Sequence, residues 1–322
     1  IHILEGDADK AEEVLLDGLK KDSVHFDLLY NLAYIYEQRG QFREAMELYC
    51  KAGTVADASQ LANVGEAIAR LKLADGSLEP VEKDRIVFFV RQGMDSFLGD
   101  IIRGLSEDYF VRKMIVSDLK QIDAGMEWAD ICWFEWCDEL MAYGSRSHLA
   151  RQKKIICRLH SYEAFSGYTR EVEWANADKV IFVAEHIRQY VLSENEDLDI
   201  ARTIVIPNGI DTDKFTFRKR DKGFKIAYVG YINYKKGPML LLHTFKAIHD
   251  RDSRYKLYIA GKYQDPRYEL YFNQMTEEMG LKGDVIFDGW QDDINKWLED
   301  KNFILCTSVL ESQNLSVMQA MS

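Results

Sequence analysis

From residue 84 onward the chain alternates short apolar runs with longer stretches of helix-like pattern. "RIVFFV" at 85–90 leads into a turn containing Gly93 and then a helix pattern. "RKMIVSD", "DICWFEW", "KKIICRL" and "KVIFVA" follow, separated by segments such as "LKQIDAGMEWA" and "EHIRQYVLSE". Such alternation predicts an α/β domain with a mostly parallel sheet covered on both faces, over residues 84–207. A second unit of the same texture begins at "FKIAYVGYINYKKGPMLLLHTFKAIHD", with further strands in "YKLYIAG", "DVIFDGW" and "FILCTSV". It is assigned to residues 208–322. Two such sheets in succession imply a cleft between domains, with ligands gathered at the carboxyl ends of the strands. The bridge is "VIPNGIDTDKF" at 205–215, where Pro207 fixes one dihedral and Gly209 tolerates a positive one.

Residues 1–76 have a different pattern. "GDADKAEEVLLDG" aligns with "GQFREAMELYCKA" at an offset of 34, pairing Gly6 with Gly40, Ala11 with Ala45, Leu15 with Tyr49 and Gly18 with Ala52. Upstream of the second copy, "NLAYIYEQRG" sets Leu32, Ala33 and Tyr36 on one helical face, and "ANVGEAIARLKLADG" reads as a further helix. Small residues let antiparallel helices approach while aromatics fill the wider gaps. The pattern resembles the tetratricopeptide repeat, matched at Leu32, Tyr36, Gly40, Ala45, Tyr49 and Ala52, with Ala33 in place of the usual glycine. An all-α region of helical hairpins is therefore expected. It either presents a concave surface to a protein partner or the acceptor, or stiffens the flank of the next domain.

Bulk composition narrows the function. The chain has 322 residues, 47% of them hydrophobic, enough for two full domains and a smaller one. Its 53 acidic residues against 41 Lys and Arg give a net charge of -12, which argues against nonspecific nucleic-acid binding and leaves room for a local basic pocket. No apolar run reaches membrane-spanning length, and the first residues lack the features of a signal peptide. They also lack an initiator methionine, so the natural start is expected upstream. Cys50, Cys132, Cys137, Cys157 and Cys306 form neither a staple nor a zinc pattern, which fits a reduced, cytoplasmic setting. "SHLARQKK" is either a solvated helix face or a contact for an acidic surface; the chain is expected in the cytoplasm, free or peripheral at the inner membrane face.

The order of "VIPNGIDTDKF", "YVGYINYKKG", "LYIAG", "VIFDGW" and "ESQNLSVMQAM" resembles the retaining glycosyltransferases with two Rossmann-like domains (the GT-B fold), specifically family 4. The likeness covers about residues 84–322 and is strongest from Val205 onward. "GYINYKKG" is not Gly-x-Gly-x-x-Gly, and there is no P-loop, so a dehydrogenase fits poorly. The resemblance implies transfer of a hexose from a UDP-, GDP- or ADP-sugar to a saccharide, lipid-linked or protein acceptor, as in polysaccharide biosynthesis. No further cofactor is required, and no DxD motif stands in a loop fitted to hold a metal. The chain ends at "VMQAMS", whereas such enzymes continue through more elements, so the C-terminal domain is expected to be incomplete.

The resemblance also assigns roles. As the glycosidic bond breaks, charge builds on the diphosphate, where cations and amides should be aimed. Lys236 is expected to contact phosphate, with Lys235 beside it. Tyr231 stands where the family has an arginine. Glu311 occupies the position of the carboxylate that contacts the transferred sugar. Asn314 replaces a common glycine, Leu315 opens a helix, and Gln319 replaces the ribose-binding carboxylate. Trp290 either stacks on the base or packs the domain. On the acceptor side, His160 follows a strand, as does the family histidine that touches the sugar, with Tyr162 and Glu163 as neighbours. Gly93 and Asp95 lie in the first strand-to-helix loop, where Asp95 either helps admit the acceptor or caps the next helix. Retention needs no protein nucleophile here, because the departing diphosphate can take the acceptor proton. The competing reading, prompted by Tyr231 and Gln319, is a repeat-bearing scaffold with a weakly active or inactive transferase domain.

Overall fold

The computed structural model describes residues 7–95, 98–212, 215, 217, 219 and 221–321. Gly6 of the repeat, Ser96 and Phe97 of the first strand-to-helix loop, and Asp213 and Lys214 of the bridge motif lie outside them. The chain divides into two compact units, 1–205 and 206–322.

The first unit opens with four helices: α1 (Ala8–Lys21), α2 (Phe26–Gln38), α3 (Phe42–Val55) and α4 (Ala58–Ala74). Asp57 and Gln60 form a reciprocal capping box that starts α4, which satisfies two of its otherwise orphaned amides. Ala33, Ala45, Ala52 and Ala67 are wholly buried where these helices pack, and Tyr49 and Leu71 fill the space between them. Of the positions paired at the 34-residue offset, Ala11, Ala45, Tyr49 and Ala52 are buried, while Gly40 is exposed.

A six-stranded parallel sheet follows, interleaved with helices: β1 (Arg85–Val90), α5 (Leu98–Leu105), β2 (Phe110–Ile115), α6 (Lys120–Trp128), β3 (Ile131–Glu135), α7 (Glu139–Arg146), β4 (Lys154–Leu159), α8 (Tyr162–Phe165), β5 (Lys179–Phe182), α9 (Glu185–Glu194) and β6 (Thr203–Val205). The strand order is β2-β1-β3-β4-β5-β6, so the direction of winding reverses between β1 and β3. All the pairs are parallel, and "RIVFFV" is buried from Ile86 to Val90, as a strand covered on both faces must be. On one face, α6 and α7 sit close enough that a Cβ at Gly144 would fall 2.1 Å from the Phe134 ring.

The helices dock on this sheet through basic side chains that serve helix ends. Arg112 on β2 donates from Nε (2.9 Å) and Nη2 (2.5 Å) to the carbonyl of Thr54, in the last turn of α3. That carbonyl has no intrahelical donor, and the guanidinium supplies one while lying 4.2 Å from the Trp128 ring. Arg103 serves the Lys20 carbonyl at the end of α1 in the same way, at 3.0 Å.

The second unit contains a four-stranded parallel sheet: β7 (Lys225–Val229), α10 (Pro238–His249), β8 (Lys256–Ala260), α11 (Pro266–Glu278), β9 (Val285–Gly289), α12 (Ile294–Leu298), β10 (Phe303–Ile304) and α13 (Leu315–Met321). The order β10-β7-β8-β9 places the winding reversal between β7 and β10. Leu241, Leu242, Phe245, Leu257, Ile259 and Phe272 make its core. "FILCTSV" contributes only two residues of regular strand, although the Leu305 amide extends the pairing to Ala227.

Candidate functional site

At a winding reversal the loops after two neighbouring strands diverge and leave a crevice. In the second unit these are the loops after β7 and β10, and hydrogen bonds lace them together. Asn233 accepts from the Lys236 amide (3.2 Å), fixing the turn Tyr234–Lys236. The Thr307 hydroxyl donates to the carbonyls of Lys236 and Gly237, and the Val309 amide donates to the carbonyl of Lys235 (2.9 Å). Gly237 is left-handed (φ 60°), and a Cβ there would meet the Thr307 carbonyl oxygen at 2.3 Å, so only glycine allows this approach. The result is an ion pair between Lys236 Nζ and Glu311 Oε1, each side chain about a quarter exposed. Two residues singled out separately, 75 positions apart, share one spot.

The rest of the loop is anchored locally. Gln313 makes two hydrogen bonds with the backbone of Asn208: its Oε1 accepts from the amide (2.5 Å) and its Nε2 donates to the carbonyl (2.9 Å). The Pro-Asn-Gly turn is thereby held against the loop that carries Glu311. Asn314 accepts from the Val317 amide (3.1 Å) and so caps α13, which begins at Leu315 and carries Gln319. Tyr231 lies beside Trp290, ring centroids 5.5 Å apart, and both are well exposed at the ends of β7 and β9. Where the resemblance would have a cation, this chain therefore presents part of an aromatic pair.

In the first unit the loops after β1, β3 and β4 meet at the corresponding sheet edge. His160 follows β4 and is buried, its ring 4.0 Å from that of Trp136. Its Nδ1 lies 3.7 Å from Glu163 Oε1 and its Nε2 3.8 Å from Glu135 Oε1. Tyr162 packs on the other side of Trp136, at 5.4 Å, and burial pushes its phenol well above the ordinary range. Glu135 and Arg158, paired in register as the last residues of β3 and the penultimate of β4, form a buried ion pair at 2.8 Å. Burial raises the Glu135 carboxyl, against the lowering influence of Arg158 and His160. Asp138 caps α7 through the Leu140 amide (2.9 Å), and burial pushes its carboxyl up to about 6. Gly93 (φ 76°) shapes the loop after β1, and the carboxylate of Asp95 is paired with Lys113 at 3.0 Å.

His160, Tyr162 and Glu163 are thus brought together, while the Asp95 carboxylate is engaged with β2. Sequence reading missed Glu135, Trp136, Asp138, Arg158, Asn233, Thr307 and Gln313. The signal for Glu135 and Arg158 was present: each is a lone charge inside an apolar strand run, and neighbouring strands set them opposite one another. Gln313 gave no such signal. Among the described residues there is no cluster of three or more His, Cys, Asp and Glu able to hold a metal ion, and no helix long and apolar enough to cross a membrane.

Residues 209–322 match the family of glycosyl transferases group 1. The match falls on the second unit and supports a glycosyltransferase domain there. Over 299 residues the chain is 22% identical to the UDP-Gal:alpha-D-GlcNAc-diphosphoundecaprenol alpha-1,3-galactosyltransferase of Escherichia coli, covering 82% of this chain and 76% of that one. It is 23% identical over 206 residues to the GDP-mannose:cellobiosyl-diphosphopolyprenol alpha-mannosyltransferase of Xanthomonas campestris, covering 60% of this chain and about half (54%) of that one. Among solved structures, Anabaena Alr3699/HepE in complex with UDP and glucose superposes with a TM-score of 0.60 at 16% identity, over 74% of this chain and 78% of that one. The fold is GT-B-like, and together with the matched family and relatives it supports a nucleotide-sugar glycosyltransferase. In the second unit, the Lys236–Glu311 pair lies at the sheet's winding reversal, the place where open α/β sheets generally bind ligands.

Proposed function

We propose that the chain is a retaining glycosyltransferase of the family 4 type, moving a hexose from a nucleoside diphosphate sugar to a lipid-linked saccharide. The observation that carries this reading is the Lys236–Glu311 pair: a cation for the departing diphosphate beside a carboxylate for the sugar hydroxyls. The names of both curated relatives specify a diphosphate-lipid acceptor and an alpha linkage, and the usual donors of these hexoses are themselves alpha-linked. This supports retention and a polyprenyl-diphosphate acceptor. Tyr231 and Trp290 form the wall for the base, and the ribose diol hydrogen-bonds to Gln319. His160 orients the transferred sugar, and the leaving phosphate oxygen takes the acceptor proton. The helices α1–α4, tetratricopeptide-like in sequence, offer a surface to an assembly partner.

The test is transfer from UDP-galactose, UDP-glucose, GDP-mannose and ADP-glucose to sugar-diphosphopolyprenol acceptors, with the product anomer read by NMR. An alpha-linked product is expected from one donor. An inverted product would overturn retention. Donor binding without transfer across the panel would favour the scaffold reading, which the Tyr231–Trp290 packing in place of a cation motivates.

A further inference from the structure

We infer that Glu163 is a positioning residue for His160, acting through two backbone amides rather than by touching a sugar. The inference rests on the reading of His160 given above. Glu163 is wholly buried, and its Oε1 accepts from the amide of His160 (3.1 Å) and the amide of Cys137 (3.3 Å). One carboxylate oxygen therefore ties the loop after β4 to the loop after β3. The amide it holds in the β3 loop directly follows Trp136, which at φ 82° is the one non-glycine with positive φ among the described residues. That conformation costs about 1–2 kcal/mol for a side-chain-bearing residue and persists only where its surroundings over-determine it.

The surroundings do so at three points. The Trp136 amide donates to the Arg158 carbonyl (3.0 Å), its indole Nε1 donates to the Met94 carbonyl in the loop after β1 (2.9 Å), and Glu163 holds the next amide. In return the indole lies against the imidazole of His160. His160 is thus fixed twice by the same acid: directly, through its own amide, and indirectly, through the indole that its ring faces. Glu163 Oε2 is buried with no hydrogen-bond partner among the described residues, so the second oxygen, and the full charge, are not what the tie needs. The tie needs one acceptor at one place.

That requirement makes the test specific, using the full chain. Glu163→Gln can present its carbonyl oxygen to both amides, since the opposite orientation would set donors against donors. It should keep kcat within about threefold. Glu163→Ala should lower kcat on the order of 10- to 100-fold, the scale on which a displacement of about 1 Å acts, with donor KM changed less than threefold. In a His160→Ala background, adding Glu163→Ala should cost almost nothing more in kcat, because its effect passes through the histidine. Independently of turnover, hydrogen exchange in peptides spanning 136–140 and 158–163 should accelerate together in Glu163→Ala and remain protected in Glu163→Gln. If Gln is as inactive as Ala, or if the two substitutions are additive, Glu163 acts through its charge or by itself and the inference is wrong. Should Glu163→Ala not fold, the Gln variant decides alone by keeping or losing activity. A parent chain that transfers no sugar would sink the proposed function, yet the exchange measurement would still read the tie. Unchanged protection at both loops in Glu163→Ala would show that the tie itself is absent.

Discussion

Asp138 offers a quantitative test of how charge is held at the edge of the first sheet. Its carboxyl is nearly inaccessible and caps α7 through one oxygen, while the other lies 3.5 Å from the Arg91 Nε. Burial raises its pKa from 3.8 to about 6, with Leu140 and Arg91 opposing. A raised carboxyl is most stable folded when protonated. Relative to that state, stability falls as pH climbs through 3.8 and levels off above about 6, when the folded group has ionised as well. The shift of about two units corresponds to roughly 3 kcal/mol at neutral pH, at 1.36 kcal/mol per unit. Asp138→Asn keeps an oxygen for the Leu140 amide, and Asn is as good an N-cap as Asp. The variant should therefore be more stable than the parent at pH 7 by up to about 3 kcal/mol, a rise in melting temperature of roughly 6–12 °C for a unit of this size. At pH 4 the gain should shrink to a small fraction of this. Urea unfolding of both proteins at pH 4, 5, 6 and 7 measures it. A difference that is the same at every pH, or a variant less stable at pH 7, would refute the claim that this carboxylate is ionised at a desolvation cost.

Further outcomes follow from the same contacts. Lys236→Ala removes the cation expected to meet the diphosphate and should weaken UDP- or GDP-sugar binding by about 10- to 100-fold, the range of a charge-assisted hydrogen bond; Glu311→Ala should leave donor affinity nearly unchanged and lower kcat, and equal donor affinity in the two variants by calorimetry would contradict the division of roles. Arg112→Ala removes both hydrogen bonds to Thr54 and the contact with Trp128, for a loss of about 2–3 kcal/mol at the junction between helices and sheet; urea unfolding should then split, with α1–α4 melting first, and a single unshifted transition would show that Arg112 does not hold them.

What the sequence made legible was local in character. The apolar runs from "RIVFFV" to "YKLYIAG" announced strands because a strand buried on both faces has no polar side to disguise it. Two of the buried alanines, Ala45 and Ala52, stood out through the 34-residue offset. The candidate donor residues were visible through the order of the motifs. What joins Lys236 to Glu311 was not, since β10 comes to lie beside β7 only after two intervening strands. Gln313 stayed hidden because a side-chain amide that pairs with a backbone 105 residues away has no periodic or compositional mark. Trp136 was hidden for the opposite reason: left-handed backbone is expected of glycine or asparagine, and nothing in "FEWCDEL" warns that a tryptophan will adopt it. The charges of Glu135 and Arg158 could have been read, as isolated ionic residues in otherwise apolar strands require a partner.

The two sheet edges handle charge in different ways, and the difference bears on the proposed chemistry. In the first unit Glu135, Arg158 and Glu163 are buried and hydrogen-bonded, so removing any partner would strand a charge away from water. Such a cluster is suited to holding geometry and poorly suited to exchanging ligands. Lys236 and Glu311 are each about a quarter exposed, and a pair open to water contributes on the order of 0–1 kcal/mol. Separating it costs little, and the released carboxylate can be solvated. An incoming diphosphate carries more negative charge than the carboxylate it displaces and accepts shorter, stronger hydrogen bonds from the ammonium. The resting ion pair therefore keeps Lys236 aimed at the crevice without competing seriously for it. In the proposed reaction this exchange would also free Glu311 for sugar hydroxyls as the donor arrives. If this is right, the affinity gained in Glu311→Ala by removing the competitor should be less than about fivefold, the ceiling that 1 kcal/mol sets.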